Sequence, residues 1–210
     1  MKVSNKIDVL IAVYNRKPLL LECLKSLFNQ TFKDFKTIVV DDGSSQEMNG
    51  IKERVDIYKK INHKGISGAR NELMKLADAK YIFILDSDDR VTPDCLEKMY
   101  NFAEENNTDW LFPAYNMVNE RGITVCKFKT KVQTIKEMLC KKYIPHSGSL
   151  IKRNTMKGIW YDEQLTSAVD LDLTFKYLFS GDKKIIKIDE KLLLYVYHQQ
   201  GRESGTKKTS

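Results

Sequence analysis

The sequence predicts an α/β protein with a central, mostly parallel sheet flanked by helices and a small antiparallel part toward the C-terminus. Three observations predict it. Apolar runs of strand length alternate with amphipathic helical segments through the first half. Clusters of Asp, Asn, Gly and Ser close those runs. Among 210 residues, 42% are hydrophobic and 30% charged, ordinary globular usage that excludes wholesale disorder.

Residues 7–13 read as a buried strand, and Pro18 then sits in the first turn of a helix carrying Leu20, Cys23, Leu24, Leu27 and Phe28 at helical spacing. A second strand, 35–40, ends in Asp41-Asp42-Gly43-Ser44-Ser45. A helix is expected from Gln46 to about Ile57, then a short strand over 58–61. Gly65-Ile66-Ser67-Gly68 opens a helix with Ala69, Leu73, Leu76 and Ala77 on one face. The strand over 80–85 runs into Asp86-Ser87-Asp88-Asp89, and Pro93 and Asp94 start a further helix. Beyond Asp109 the expected elements are strands over 110–118 and 123–129, a short helix over 134–141 and a strand over 149–152. A helix over 168–180 follows, with Leu171, Phe175 and Leu178 as its core face, then strands over 185–188 and 192–197. No linker rich in Gly, Pro or Ser interrupts the chain. The expected organisation is one catalytic domain over 1–210, with a nucleotide-binding half (1–108), an acceptor-binding half (109–204) and a polar tail.

The formal net charge of +7 suits polyanionic surroundings such as nucleotide phosphates. The basic residues are dispersed rather than interleaved with aromatics, so no nucleic-acid partner is expected. Cys23, Cys95, Cys126 and Cys140 show no C-x-x-C spacing, which argues against a zinc site and for reduced thiols in a cytoplasmic protein. No apolar run reaches the roughly 18–20 residues of a spanning helix. A peripheral contact with the inner face of a membrane remains compatible with the charge.

In open α/β sheets, ligands bind beyond the carboxyl ends of the strands, and the acidic clusters fall there. A hydrophobic strand delivering Asp86-x-Asp88 into a loop supplies oxygen ligands for magnesium or manganese, which take one or two carboxylates and leave room for phosphates. The Asp41-Asp42-Gly43-Ser44 turn offers a carboxylate to accept an N–H from a nucleobase that Tyr14 stacks upon. Arg70 begins a helix within reach of base or phosphate. The residues alone also admit a haloacid-dehalogenase-like phosphatase, although Arg90 stands where that motif has Thr or Val, and a basic nucleic-acid-binding module.

Four ordered motifs resolve these choices by resemblance. Ile11-Ala12-Val13-Tyr14-Asn15-Arg16, Asp41-Asp42-Gly43-Ser44, Gly65-Ile66-Ser67-Gly68-Ala69-Arg70-Asn71 and Asp86-Ser87-Asp88-Asp89 resemble glycosyltransferase family 2. The likeness is strong over about 5–115 and looser over 145–204. It implies a GT-A fold and a metal-dependent, inverting transfer of sugar from a nucleotide-diphosphate donor, with uridine the expected base. The implied acceptor is a hydroxyl of a glycan or lipid-linked molecule, in cell-surface polysaccharide synthesis.

By that resemblance Ala12, Tyr14 and Asp42 line the base pocket with Arg70 nearby. Asp86 lies by ribose and metal, Asp88 ligates the metal, and Asp89 is a further ligand or a loop-stabilising acid. The general base is Asp170, whose preceding residue is Val169 where the family usually has Glu. His198 matches a family histidine that completes the metal shell or contacts the diphosphate. His146 is a candidate to face the acceptor, and His63 is given no role. Family members often run longer, which is compatible with a trimmed catalytic domain.

Overall fold

The computed structural model describes residues 5–126 and 145–198. Its elements run β1 (Ile7–Val13), α1 (Lys17–Phe28), β2 (Phe35–Asp41), β3 (Ile57–Lys60), α2 (Gly65–Leu76), β4 (Tyr81–Ile84), β5 (Arg90–Val91) and α3 (Cys95–Asn106). Then come β6 (Trp110–Val118), β7 (Thr124–Cys126), β8 (Ser149–Lys152), a 3-10 turn (Arg153–Met156), α4 (Val169–Phe179) and β9 (Ile185–Val196). The helix expected over 134–141 lies outside the described residues.

The strand period of two sorts β1 between the two faces of the sheet. Ile7, Val9, Ile11 and Val13 pack with α1 and α3 through Leu20, Leu24, Leu27, Leu96 and Met99. Leu10 and Ala12 face the other side, where Ala69 and Leu73 of α2 and Leu173 and Tyr177 of α4 pack. Each fully buried aliphatic side chain contributes about 1.5–3 kcal/mol, so both layers are held by the same strand. Asp8 interrupts the apolar run because its buried Oδ2 accepts the backbone N–H groups of Asp78 (2.6 Å) and Ala79 (2.8 Å), bracing the turn into β4.

The sheet order is β3-β2-β1-β4-β8-β6-β9-β5, with β7 on β6. The first four strands are parallel. The rest corrects the expected topology. β8 is antiparallel to both β4 and β6, β5 is antiparallel to β9, β7 is antiparallel to β6, and β6 is parallel to β9. The sheet is therefore mixed rather than mostly parallel, and its C-terminal part is not simply antiparallel. The cause lies in connectivity. The helical crossover through α3 makes β4 and β6 run the same way but leaves a gap between them, and β8 fills it from the opposite direction.

Three further expectations change. Residues 46–56 form turns rather than a helix. Met48 and Ile51 are buried at a spacing that mimics a helix, but Asn49-Gly50, with Gly50 at φ +80°, breaks the backbone between them. The core face of α4 is Leu173 and Tyr177, while Phe175 and Phe179 stack on each other at the surface. The two late strands are one, β9, which accommodates its irregularities as register shifts against β6. No helix among the described residues is long and apolar enough to cross a membrane.

Candidate active site

Parallel pairing of β1 with β2 and β4 brings three carboxyl-terminal strand ends to one edge, with Val13 opposite Asp41 and Leu10 opposite Ile84. At the first end the chain turns through Asn15, a left-handed residue at φ +53°. Its N–H donates to Ser44 Oγ (2.8 Å) and its Oδ1 accepts from Ser45 N–H (2.9 Å), which ties the strand end to the next turn. Tyr14 is thereby left 44% exposed above the edge.

The two acids of the second strand end differ in task. Asp41 is internal to the fold: it accepts from Ser44 N–H (2.8 Å) and from the Tyr58 hydroxyl (2.6 Å). Asp42 is buried at the strand end, with Oδ1 accepting from Lys64 N–H (2.7 Å) and Oδ2 lying 2.8 Å from His63 Nδ1. The His63 ring also stacks on Tyr14, with centroids 4.3 Å apart. This close approach depends on Gly43, at φ +81°, where a Cβ would stand 2.9 Å from His63 N. His63, given no role from the sequence, thus contacts both Tyr14 and Asp42. Its position two residues before Gly65, just past β3, was the available signal.

The third strand end carries the acid cluster. Asp86, Asp88 and Asp89 have ligand oxygens within 4.8 Å of one another. Asp88 is ion-paired with Arg16 (3.1 Å) and lies 3.3 Å from His198 Nε2. Asp89 has both oxygens engaged, by the Ser147 hydroxyl (2.6 Å) and by Val196 N–H (3.1 Å), so it ties the loop before β8 to β9. Burial, then the charges of Asp86 and Asp88, push the Asp89 carboxyl up to about 8. Like charges gathered in this way favour a cation. His198 Nε2 is a buried nitrogen without a hydrogen-bond partner, aimed at Asp88. The oxygen-rich donor set with one imidazole suits a divalent ion.

A prediction follows from Asp89. Because its folded value lies above the unfolded one, the fold favours the protonated acid. That contribution is complete near pH 4 and is lost as pH rises toward 8. Asp89→Asn, which mimics the protonated form, should raise the Tm of chelator-treated protein at pH 8 by at least about 2–4 °C. The gain should fade toward pH 4, and thermal melts showing an equal gain at both pH values would contradict this reading.

Arg70, buried midway along α2, connects the cluster to α4. Its guanidinium donates to Asp86 Oδ1 (2.9 Å) and to Asp170 Oδ1 and stacks over Tyr161. Next to it, Asn71 bonds both backbone groups of Tyr161, accepting from N–H and donating to C=O at 2.9 Å each. Asp170 sits in the first turn of α4, where the helix dipole favours a carboxylate. His146 is buried at 1% exposure and so does not face an acceptor. It contacts Tyr161 Oη (3.0 Å), Thr174 Oγ1 (3.1 Å) and Asp170 Oδ1 (3.3 Å).

The predicted residues therefore gather at one edge of the sheet. Tyr14 and Asp42 stand at the ends of β1 and β2, Asp86 and Asp88 belong to the acid cluster after β4, where Arg16 pairs with Asp88, and Arg70 bridges Asp86 to Asp170. Ala12, Leu10, Arg70, Asp86 and Tyr161 line a cleft. Arg16, His63, Ser147, Tyr161 and Thr174 were not singled out from the sequence.

The profile of the family described as "Glycosyl transferase family 2" matches residues 8–146. An uncharacterized glycosyltransferase of Methanocaldococcus jannaschii is 32% identical over 203 residues, 90% of this chain and 70% of that protein. A poly(ribitol-phosphate) beta-glucosyltransferase of Bacillus spizizenii is 36% identical over 134 residues, 59% of this chain but only 21% of its own length. Among solved structures, S. aureus TarS 1-349 in complex with UDP-GlcNAc superposes with a TM-score of 0.80 at 23% identity, covering 96% of this chain and 61% of that one. That likeness is one of fold. The chain spans about a fifth of the Bacillus relative and three fifths of the TarS fragment.

Proposed function

Since the chain belongs to glycosyl transferase family 2, we propose that it transfers a sugar, with inversion, from a UDP-sugar to a hydroxyl of a glycan or lipid-linked acceptor. Cell-surface polysaccharide synthesis is the proposed setting, at a cytoplasmic or peripheral location. One observation carries the reading: three strand ends at one edge present Tyr14 and Asp42 beside an acid cluster, which Arg70 bridges to Asp170 at a helix N-terminus. The GT-A architecture is proposed to work as one catalytic domain, with residues up to about 108 binding nucleotide and 109–204 building the acceptor side.

In this reading Tyr14 stacks on uracil, Asp42 accepts an N–H of the base, and Ala12 and Arg70 close the pocket. His63 occupies the face of Tyr14 and the oxygen of Asp42 that the base needs, so it moves aside as donor enters. Asp86 lies beside the ribose. Asp88, Asp86 and His198 hold a divalent cation, manganese or magnesium. When bound, that ion offsets the charge of the leaving diphosphate. Arg16 is released from Asp88 and is then free to meet phosphate oxygens. Arg70 keeps Asp170 oriented between the cluster and the acceptor side, and Asp170 removes the proton of the attacking hydroxyl from the face opposite the leaving group.

The TarS structure contains UDP-GlcNAc, which makes that donor the first to test. A thermal-shift screen of nucleotide sugars should show UDP-sugars raising Tm only with manganese or magnesium present. A stabilising adenosine or guanosine donor, or no donor at all, would overturn the reading. Within the same screen, Tyr14→Ala should weaken UDP binding about tenfold, the loss of one base–aromatic stack. An unchanged Kd by calorimetry would remove Tyr14 from the base pocket.

A further inference from the structure

The imidazole of His146 stands behind the proposed base and is not explained by the steps above. It is enclosed by Trp110 of β6 (centroids 5.2 Å, edge-on), Tyr161 and Thr174 of α4. The charged and titratable groups that face it are Asp170 from α4, Arg70 from α2, Asp86 after β4 and Tyr161. Burial holds its proton affinity below the ordinary histidine range, with Asp170 opposing and Arg70 adding to the effect, so the ring is neutral near pH 7.

The hydrogen-bond pattern selects its tautomer. Thr174 has one hydroxyl hydrogen, and it goes to the Asp170 carbonyl (2.8 Å). At the 3.1 Å contact, Thr174 Oγ1 is therefore the acceptor and His146 Nε2–H the donor. A neutral ring with hydrogen on Nε2 has a bare lone pair on Nδ1. That lone pair faces two groups, the Tyr161 hydroxyl (3.0 Å) and Asp170 Oδ1 (3.3 Å). While Asp170 is ionised it has no hydrogen to offer, and Tyr161 donates. Once Asp170 is protonated, its O–H takes this single lone pair in place of the Tyr161 hydroxyl.

Resting on the reading of Asp170 as general base, we propose that His146 is its positioning residue: Nδ1 accepts a hydrogen bond from the protonated carboxyl and so stabilises the proton taken from the acceptor. In the transfer, the acceptor oxygen bonds to the anomeric carbon. The bond from that carbon to the diphosphate oxygen breaks, its electron pair leaving with the diphosphate. The hydroxyl proton ends on Asp170, and His146 gains and loses none. Thr174 keeps the lone pair on the correct nitrogen, which explains a buried Thr–His pair beside an acid at a helix N-terminus.

The experiment is a carboxyl 13C NMR titration of the full chain, with the Asp170 signal assigned by its absence from Asp170→Asn. A bond made only to the protonated form raises the midpoint, so its removal lowers it. In His146→Phe, which keeps an aromatic ring but no nitrogen, the midpoint should fall by about half to one pH unit. Thr174→Val, which frees the tautomer while leaving His146 and Tyr161 in place, should shift it in the same direction, and it carries the test if His146→Phe does not fold. A ring that serves packing alone predicts an unchanged midpoint, or a raised one from the more apolar surroundings, and either result overturns the proposal. If the midpoints stay fixed while Asp170→Asn is inactive, the base stands and the role of His146 falls. Full transfer activity in Asp170→Asn overturns both.

Discussion

Asp170→Asn should bind a UDP-sugar with unchanged affinity and transfer its sugar about 10²–10⁴ times more slowly. Both halves of this expectation come from where the side chain sits. The proposed donor contacts are Ala12, Tyr14, Asp42, Asp86 and Asp88 at the strand ends and Arg70 of α2, whereas Asp170 reaches the site from α4, on the far side of Arg70. An amide there still accepts the hydrogen bond of Arg70 but cannot take up a proton. Among the described residues of α4, no second acid takes its place. Val169, in the position where the family usually has Glu, packs against the core beneath α4. Asp172 is ion-paired with Lys176 (2.7 Å) along the helix. Asp172→Asn should accordingly keep near-full turnover and serves as the control. Calorimetry of UDP with manganese, alongside initial rates of UDP release, checks both halves. Undiminished turnover in Asp170→Asn would remove the assignment, and equal losses in the two variants would point to damage to α4 rather than to chemistry.

How much of this was legible depended on whether a feature is local or crosses the sheet. β1, α1, β2, α2, β4 and α3 were readable because strand and helix periods are written in consecutive residues. For the same reason Asp42, Asp86 and Asp88, each directly after an apolar run, could be found. The direction of β8 was not readable, because its partners β4 and β6 lie about 40–70 residues before it in sequence and pairing direction leaves no local trace. The turns at 46–56 were misread because Met48 and Ile51 satisfy a helical spacing by coincidence of burial. Asp89 was left between two roles that only its bonds to Ser147 and Val196 could separate. His146 looked like an acceptor contact because it precedes a Ser-Gly-Ser turn, yet a lone histidine carries no sequence signal of burial. Its partners Tyr161 and Thr174 come from segments 15 and 28 residues away.

Asp88→Ala should abolish the part of UDP binding that depends on a divalent cation. In the unaltered chain, manganese should tighten UDP binding about tenfold or more relative to chelator, a difference of about 1.4 kcal/mol or greater. In the variant that ratio should fall to about one. Available donor atoms decide this. Asp89 has both oxygens committed to Ser147 and Val196, and Asp86 shares an oxygen with Arg70. Asp88 is the one acid of the three whose partners, Arg16 and His198, are themselves groups that diphosphate or cation would engage. Without it, Asp86 and His198 remain as a two-point site, too few for a hard ion that must also hold phosphate. A purely structural Asp88 makes the opposite forecast. Loss of its ion pair with Arg16 would then lower Tm, with UDP affinity reduced equally in manganese and in chelator. The crowding of carboxylates argues against that outcome, because removing one of three like charges relieves the burden on Asp89. The metal-free variant should therefore melt no lower than the unaltered chain at pH 8, even as its response to manganese disappears.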